Sequence, residues 1–205
     1  GAIHRSGPCI TGERMNRHSD RLPPLAPAQW NESQRHYAQE IIDGPRGALI
    51  SPFVPLLRSP ELMAHAQRMG EYLRYRSALG LRLSELAILI TARQWSQQVE
   101  WAIHAPIAAR EGVSADTIAA ISQGRQPQGM PADEAALYAF SMELHQNRSV
   151  SDITWAQAVR VFGEQGVIDL IGIHGYYSFL SMVMNAARTE VPLSAADPLP
   201  PMPDV

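Results

Sequence analysis

The chain has 205 residues, 45% of them apolar, which is enough for one domain with a real core. Seventeen basic against 20 acidic side chains leave a formal charge of −3, and no basic block appears, so the electrostatic footprint of nucleic-acid binding is excluded. No apolar run reaches the ~20 residues of a membrane span. The most apolar stretch, Val167 to Met184, is interrupted by Asp169, Gly172, His174, Gly175 and two tyrosines, and reads as a buried helix.

Residues 1–14 show no clean hydrophobic period and precede Met15, so they read as a fusion scar ahead of a native start; a natural flexible leader is the other reading. The single cysteine, Cys9, falls in that segment. No disulfide can form within one chain, and a reducing compartment, the cytoplasm, is expected.

Residues 20–28 are Pro-rich and extended. A first helix is predicted over about 32–42, ended by Asp43-Gly44-Pro45, followed by a loop over 45–57 punctuated by Gly47, Pro52 and Pro55. Ser59-Pro60-Glu61 predicts a helix start: serine caps, proline takes the first turn and glutamate complements the dipole. That helix runs to about Ser77, with Ala78-Leu79-Gly80 as the turn after it. Ser84-Glu85 opens the next helix, to about Trp95, and another runs from about Val99 to Arg110. Pro106 lies inside it, which predicts a kink or an early break near Ala105.

Ser114 caps a short helix over 115–122, and 124–131 is a loop. Further helices are expected over about 133–146, 152–162 and 166–187. The tail, 192–205, carries five prolines and reads as a strap over the surface or an arm to a neighbouring subunit. No segment alternates as a strand does. The expected fold class is therefore all-α, with one domain over 15–191.

Two acids and one imidazole stand out in segments that otherwise read as buried helix. Glu100 and His104 are four apart and share a helix face. Glu85 can approach His104 if its helix packs antiparallel to theirs. A carboxylate–imidazole cluster of that kind can move protons near neutral pH. The plainer alternatives are an exposed Glu/His pair and a glutamate serving a helix N-terminus.

His174, about one turn before Tyr177, is either half of a ligand-facing pair or a core histidine bonded to a backbone carbonyl. Trp95 and Trp101 either wall an apolar pocket or fill the core. Glu85, Glu100 and His104 come nearest to a metal-ligand set without meeting it well, and no metal or cofactor is expected.

The runs Ser59-Pro60-Glu61-Leu62, Gly70-Glu71-Tyr72-Leu73-Arg74, Ser84-Glu85-Leu86-Ala87-Ile88-Leu89 and Glu100-Trp101-Ala102-Ile103-His104 resemble the carboxymuconolactone decarboxylase family. So do Arg46-Gly47, Ala108-Ala109-Arg110-Glu111-Gly112, Asp169-Leu170-Ile171, Gly175-Tyr176-Tyr177 and Asn185-Ala186; the resemblance covers roughly 44–190.

It implies an alkylhydroperoxidase D-like helical bundle assembled as a homo-oligomer, a trimer or hexamer. One branch of the family works through a Cys-x-x-Cys pair, which would fall at Gln97 and Glu100 here; neither can serve as a thiolate. The chain sides with the branch that removes carbon dioxide from a small carboxylated lactone without a cofactor. On that resemblance His104, Glu85 and Glu100 are the expected catalytic residues, with His104 as proton donor or carbonyl polariser and the two glutamates orienting and charge-balancing it. Arg46, Trp101, Tyr177 and His174 are expected to line the substrate, with Arg74 and Arg93 as further candidates for its carboxylate. The other readings are a non-catalytic binder of a small metabolite and, disfavoured by the missing cysteines, a peroxidase.

Overall fold

The structure is a computed structural model and describes residues 19–192 and 197–202. Residues 1–14, with Cys9, lie outside it. Among the described residues there are eight α-helices, one short 3-10 turn at Pro27–Gln29, and no strand, so the chain is all-α.

The first helix, α1 (Glu32–Asp43), starts where Asn31 and Gln34 cap each other reciprocally. The loop expected over 45–57 contains a short helix, α2 (Phe53–Leu56), which forms because Phe53 and Leu56 bury their side chains. Helix α3 (Pro60–Tyr75) starts at Ser59 with proline in its first turn, as expected. The Ser59 side chain makes no capping bond, however, and α3 stops at Tyr75 rather than Ser77.

Helix α4 (Leu81–Gln94) begins three residues before Ser84-Glu85. Glu85 is thus past the first turn and has no role at the helix start. From Leu83 to Arg93 every residue of α4 is buried, the signature of a central helix enclosed on all sides. Helix α5 (Gln98–Arg110) runs through Pro106 to its predicted end, so the proline does not break it. Helix α6 (Ala115–Ser122) is capped by Ser114, whose hydroxyl accepts from Thr117 N–H.

Helix α7 (Ala132–Asn147) precedes α8 (Asp152–Ala187), which Ser151 caps. Within α8, Gly163 is non-helical at φ 71°, so the segment is the two expected helices with an abrupt joint. By length and composition alone α8 could cross a membrane, but 56% of its most apolar window is buried inside the protein, as a core helix requires.

The core is α4 packed mainly on α5, α7 and α8, with α3 closing against α8. A buried acid sets that closure: the Asp169 carboxylate of α8 accepts from Tyr72 Oη at 3.0 Å and from Ala78 N–H at 2.8 Å. This pins α8 to the end of α3, which holds Arg74 and Tyr176 in fixed relation.

The described part of the tail is a strap. Leu199 is buried, and the Gln98 amide holds it at both ends, accepting from Leu199 N–H at 2.8 Å and donating to Leu199 C=O at 2.7 Å. Arg93 donates to Pro200 C=O, Ser122 C=O and Ser96 Oγ. These bonds commit Arg93 to the strap, away from the acids.

Candidate active site

Helices α4 and α5 form a hairpin through Trp95, Ser96 and Gln97, with Ser96 in the left-handed region at φ 47°. Gln97 is the N-cap of α5: its side-chain oxygen accepts from Val99 N–H at 2.6 Å and Glu100 N–H at 3.1 Å. Its amide nitrogen donates to Asn185 Oδ1 at 2.9 Å. The position where the resemblance places a cysteine in the other branch is here a structural cap.

The hairpin aims Glu85 at the face that carries Glu100 and His104. His104 Nδ1 is 2.7 Å from Glu85 Oε2, and His104 Nε2 is 3.2 Å from Glu100 Oε2. Arg74 Nε reaches to 3.7 Å from Glu85 Oε1. The side chains of Glu85, Glu100 and His104 are all at least 96% buried, so the exposed-pair reading fails.

Burial by itself pushes the His104 pKa down. The charge of Glu85 and the contacts to Glu100 and Glu85 outweigh it and raise the pKa to about 9. His104 therefore carries a proton on both nitrogens at neutral pH. With Arg74 it balances the two carboxylates, which is the condition for keeping charges in a core.

The cluster opens on a small cavity of about 10 Å³, lined among others by Arg46, Phe53, Arg74, Glu100, His104 and Tyr176. That is room for about one water. Glu85 is not part of the lining, so it stands behind His104, while Glu100 faces the cavity. Four buried polar atoms here have no hydrogen-bond partner: Glu85 Oε1, Glu100 Oε1, Arg46 Nε and Tyr176 Oη. Such atoms are costly, and three of them, all but Glu85 Oε1, belong to residues that line the cavity, which suits a ligand site.

Arg46 rests its guanidinium over the Phe53 ring at 4.8 Å. Tyr177 meets the His104 ring edge-on at 5.4 Å between centroids. Burial, then the charge of Glu100, pushes the Tyr177 pKa well above its usual value, so it stays a neutral phenol.

The structure thus brings Glu85, Glu100, His104, Arg46 and Tyr177 together, and Arg74 with them. Two expected substrate residues lie elsewhere. His174 is buried in a second cluster, with Nδ1 2.8 Å from Thr91 Oγ1 and 3.1 Å from His145 Nε2, and Nε2 2.6 Å from Ser141 Oγ. Burial, then the nearby His145, drives its pKa well down, so it is a neutral core histidine held by hydroxyls rather than by a backbone carbonyl. Trp101 turns to the other side of α5, where it walls an apolar groove of about 450 Å³ between α5 and α6. That groove is larger than the cavity at His104 but holds none of the three acid–base groups, so chemistry and not size locates the site.

Tyr176 joins the site through the packing of α3 on α8. The signal was there in its neighbour Tyr177 and in Gly70, but their meeting depends on how α3 crosses α8.

The helices and their arrangement define an alkylhydroperoxidase D-like helical protein. A debrominase, Bmp8, whose crystal structure is in complex with 2,3,4-tribromopyrrole, aligns over 84% of this chain and 91% of its own with a TM-score of 0.63. At 15% identity that likeness is one of fold. Residues 60–141 match the model of the carboxymuconolactone decarboxylase family, a segment that carries Arg74, Glu85, Glu100 and His104. That segment, less than half of the chain, is where the chain is similar to the family. No curated protein sequence matches it.

Proposed function

We propose that this protein is a cofactor-free carbon–carbon lyase acting on a small carboxylated lactone. The observation that carries the reading is the buried chain Glu85–His104–Glu100, ending at a cavity beside an unpartnered arginine nitrogen.

The chemistry follows from the groups. The substrate carboxylate is held by Arg46, with Arg74 adding to the positive field. The carboxylate–carbon bond breaks, carbon dioxide leaves, and the bonding electron pair passes into the conjugated lactone carbonyl, which becomes an enolate. A proton must then reach carbon. His104 stores it, and Glu100, whose Oε1 is free, is the group placed to hand it over; Glu85 keeps the imidazolium oriented and charge-balanced. The substrate supplies its own electron sink, so the reaction closes with no added oxidant or reductant.

A lactone ring does not fit in about 10 Å³. Entry requires the connector between α1 and α3, which brings Arg46, Ile50, Pro52 and Phe53 to the cavity, to move outward. We further propose a homo-oligomer, supported by the exposed apolar side chains Leu62 and Met69 on α3 and Ile168 and Met182 on α8.

The test is loss of ultraviolet absorbance together with carbon dioxide release from carboxymuconolactone, for wild type and His104→Ala. Turnover that collapses in the variant supports the reading. Turnover unaffected by the substitution contradicts the role of His104, and none by wild type contradicts this substrate.

A further inference from the structure

We propose that Tyr176 is a substrate-contacting residue of this site, its phenol donating a hydrogen bond to the lactone carbonyl oxygen from a slot that Gly70 keeps open. The inference rests on the lactone reading above and adds the group that meets the oxygen where charge develops.

Tyr176 is 3% exposed and its hydroxyl has no partner. A phenol in a core normally finds one, because an unpaired hydroxyl loses its bonds to water for nothing. The hydroxyl lies against Gly70 of α3: a Cβ at that position would fall 2.2 Å from Tyr176 Oη. Only glycine leaves this room. Gly70 is one helical turn before Arg74, which lines the same cavity as Tyr176. Tyr176 thus lines the cavity with its hydroxyl turned toward α3, one helical turn from Arg74.

Its ring is fixed. Tyr177 packs edge-on against it at 5.0 Å and in turn against His104 at 5.4 Å. The phenol also keeps its proton, because burial raises its pKa well above the usual tyrosine value, against the opposing charges of Arg46 and Arg74. Among the four unpartnered polar atoms, Arg46 Nε is a cationic donor and the two glutamate oxygens are acceptors. Tyr176 Oη is the neutral donor of the set. A carboxylate matches the cation, and a carbonyl oxygen becoming an enolate matches the phenol.

The experiment compares binding of two acids by calorimetry: 5-oxotetrahydrofuran-2-carboxylate, a stable lactone acid, and cyclopentanecarboxylate, which has the same ring size and no carbonyl. Wild type is expected to favour the lactone acid by about tenfold, the worth of one such hydrogen bond. Tyr176→Phe is expected to lose that margin, bind cyclopentanecarboxylate unchanged, and melt no lower than wild type, since it removes a hydroxyl without a partner. A margin that survives in Tyr176→Phe overturns the assignment and leaves the lactone reading standing. A melting point several degrees lower overturns it too, by showing the hydroxyl bonded within the fold. Failure of wild type to bind either acid overturns the lactone reading and this inference with it.

Discussion

His104 Nδ1 and Glu85 Oε2 lie 2.7 Å apart across the α4–α5 hairpin, nineteen positions from each other in the chain. The pair is fully enclosed, and its opposite nitrogen faces a second carboxylate, Glu100, at 3.2 Å. A protonated imidazole between two buried acids is stable only while all three are present.

Removing the imidazole should therefore be expensive. His104→Ala leaves two uncompensated carboxylates in the core, and the expected loss is about 3–5 kcal/mol of unfolding free energy. Urea unfolding at pH 7 measures it. A loss below about 1 kcal/mol would mean that the cluster is hydrated or that His104 is neutral.

Stability should fall as pH rises from about 6.5 to about 9. The His104 pKa is raised on folding to about 9, so the folded state keeps a proton that the unfolded chain has released. The stabilisation is complete below the unfolded value and lost as pH passes through the folded one. The size of the shift corresponds to roughly 3 kcal/mol. Urea midpoints across this range check it, and Glu85→Gln should flatten the decline by weakening the hold on the proton.

His174 acts in the opposite direction. Its pKa is depressed by burial and by His145, so the unfolded chain takes up a proton that the folded state refuses. Its contribution is present above the unfolded value, near pH 6.5, and lost as pH falls below it. His174→Gln should flatten the acid limb of the stability curve and leave the alkaline limb unchanged. It should also leave turnover within a few-fold of wild type, because His174 sits with Thr91, Ser141 and His145 and not at the cavity.

Gly70→Ala should destabilise the protein by about 1–3 kcal/mol, the usual cost of overpacking. The added methyl would lie 2.2 Å from Tyr176 Oη and 2.4 Å from its Cζ, so the ring must shift. Thermal unfolding reads the loss. A neutral substitution would show that α3 and α8 are further apart than they stand here.

Much of this was legible in the sequence because it is local. The Glu100-to-His104 spacing sets a shared face, Ser114 and Ser59-Pro60-Glu61 announce helix starts, and Gly163 falls in the predicted gap between two helices. What failed was what depends on neighbours. His174 lies about one turn from Tyr177, yet Thr91 of α4 and Ser141 of α7 claim its nitrogens and make it core. Arg93 looked available for a carboxylate until the strap at Pro200 took it. Glu85 sits at a sequence signal for a helix start, yet α4 begins at Leu81 and buries Glu85 inside it. Tyr176 needed the crossing of α3 and α8, which no periodicity encodes.

The most direct test of the central claim is turnover of carboxymuconolactone in deuterium oxide by wild type and Glu100→Gln, following carbon dioxide and deuterium in the product. The account predicts that wild type releases carbon dioxide and places one deuterium on carbon for each molecule released. It predicts that Glu100→Gln folds and slows by at least about a hundredfold, the lower end of what a positioned acid contributes. Equal rates for the two proteins would contradict the proton path from His104 through Glu100.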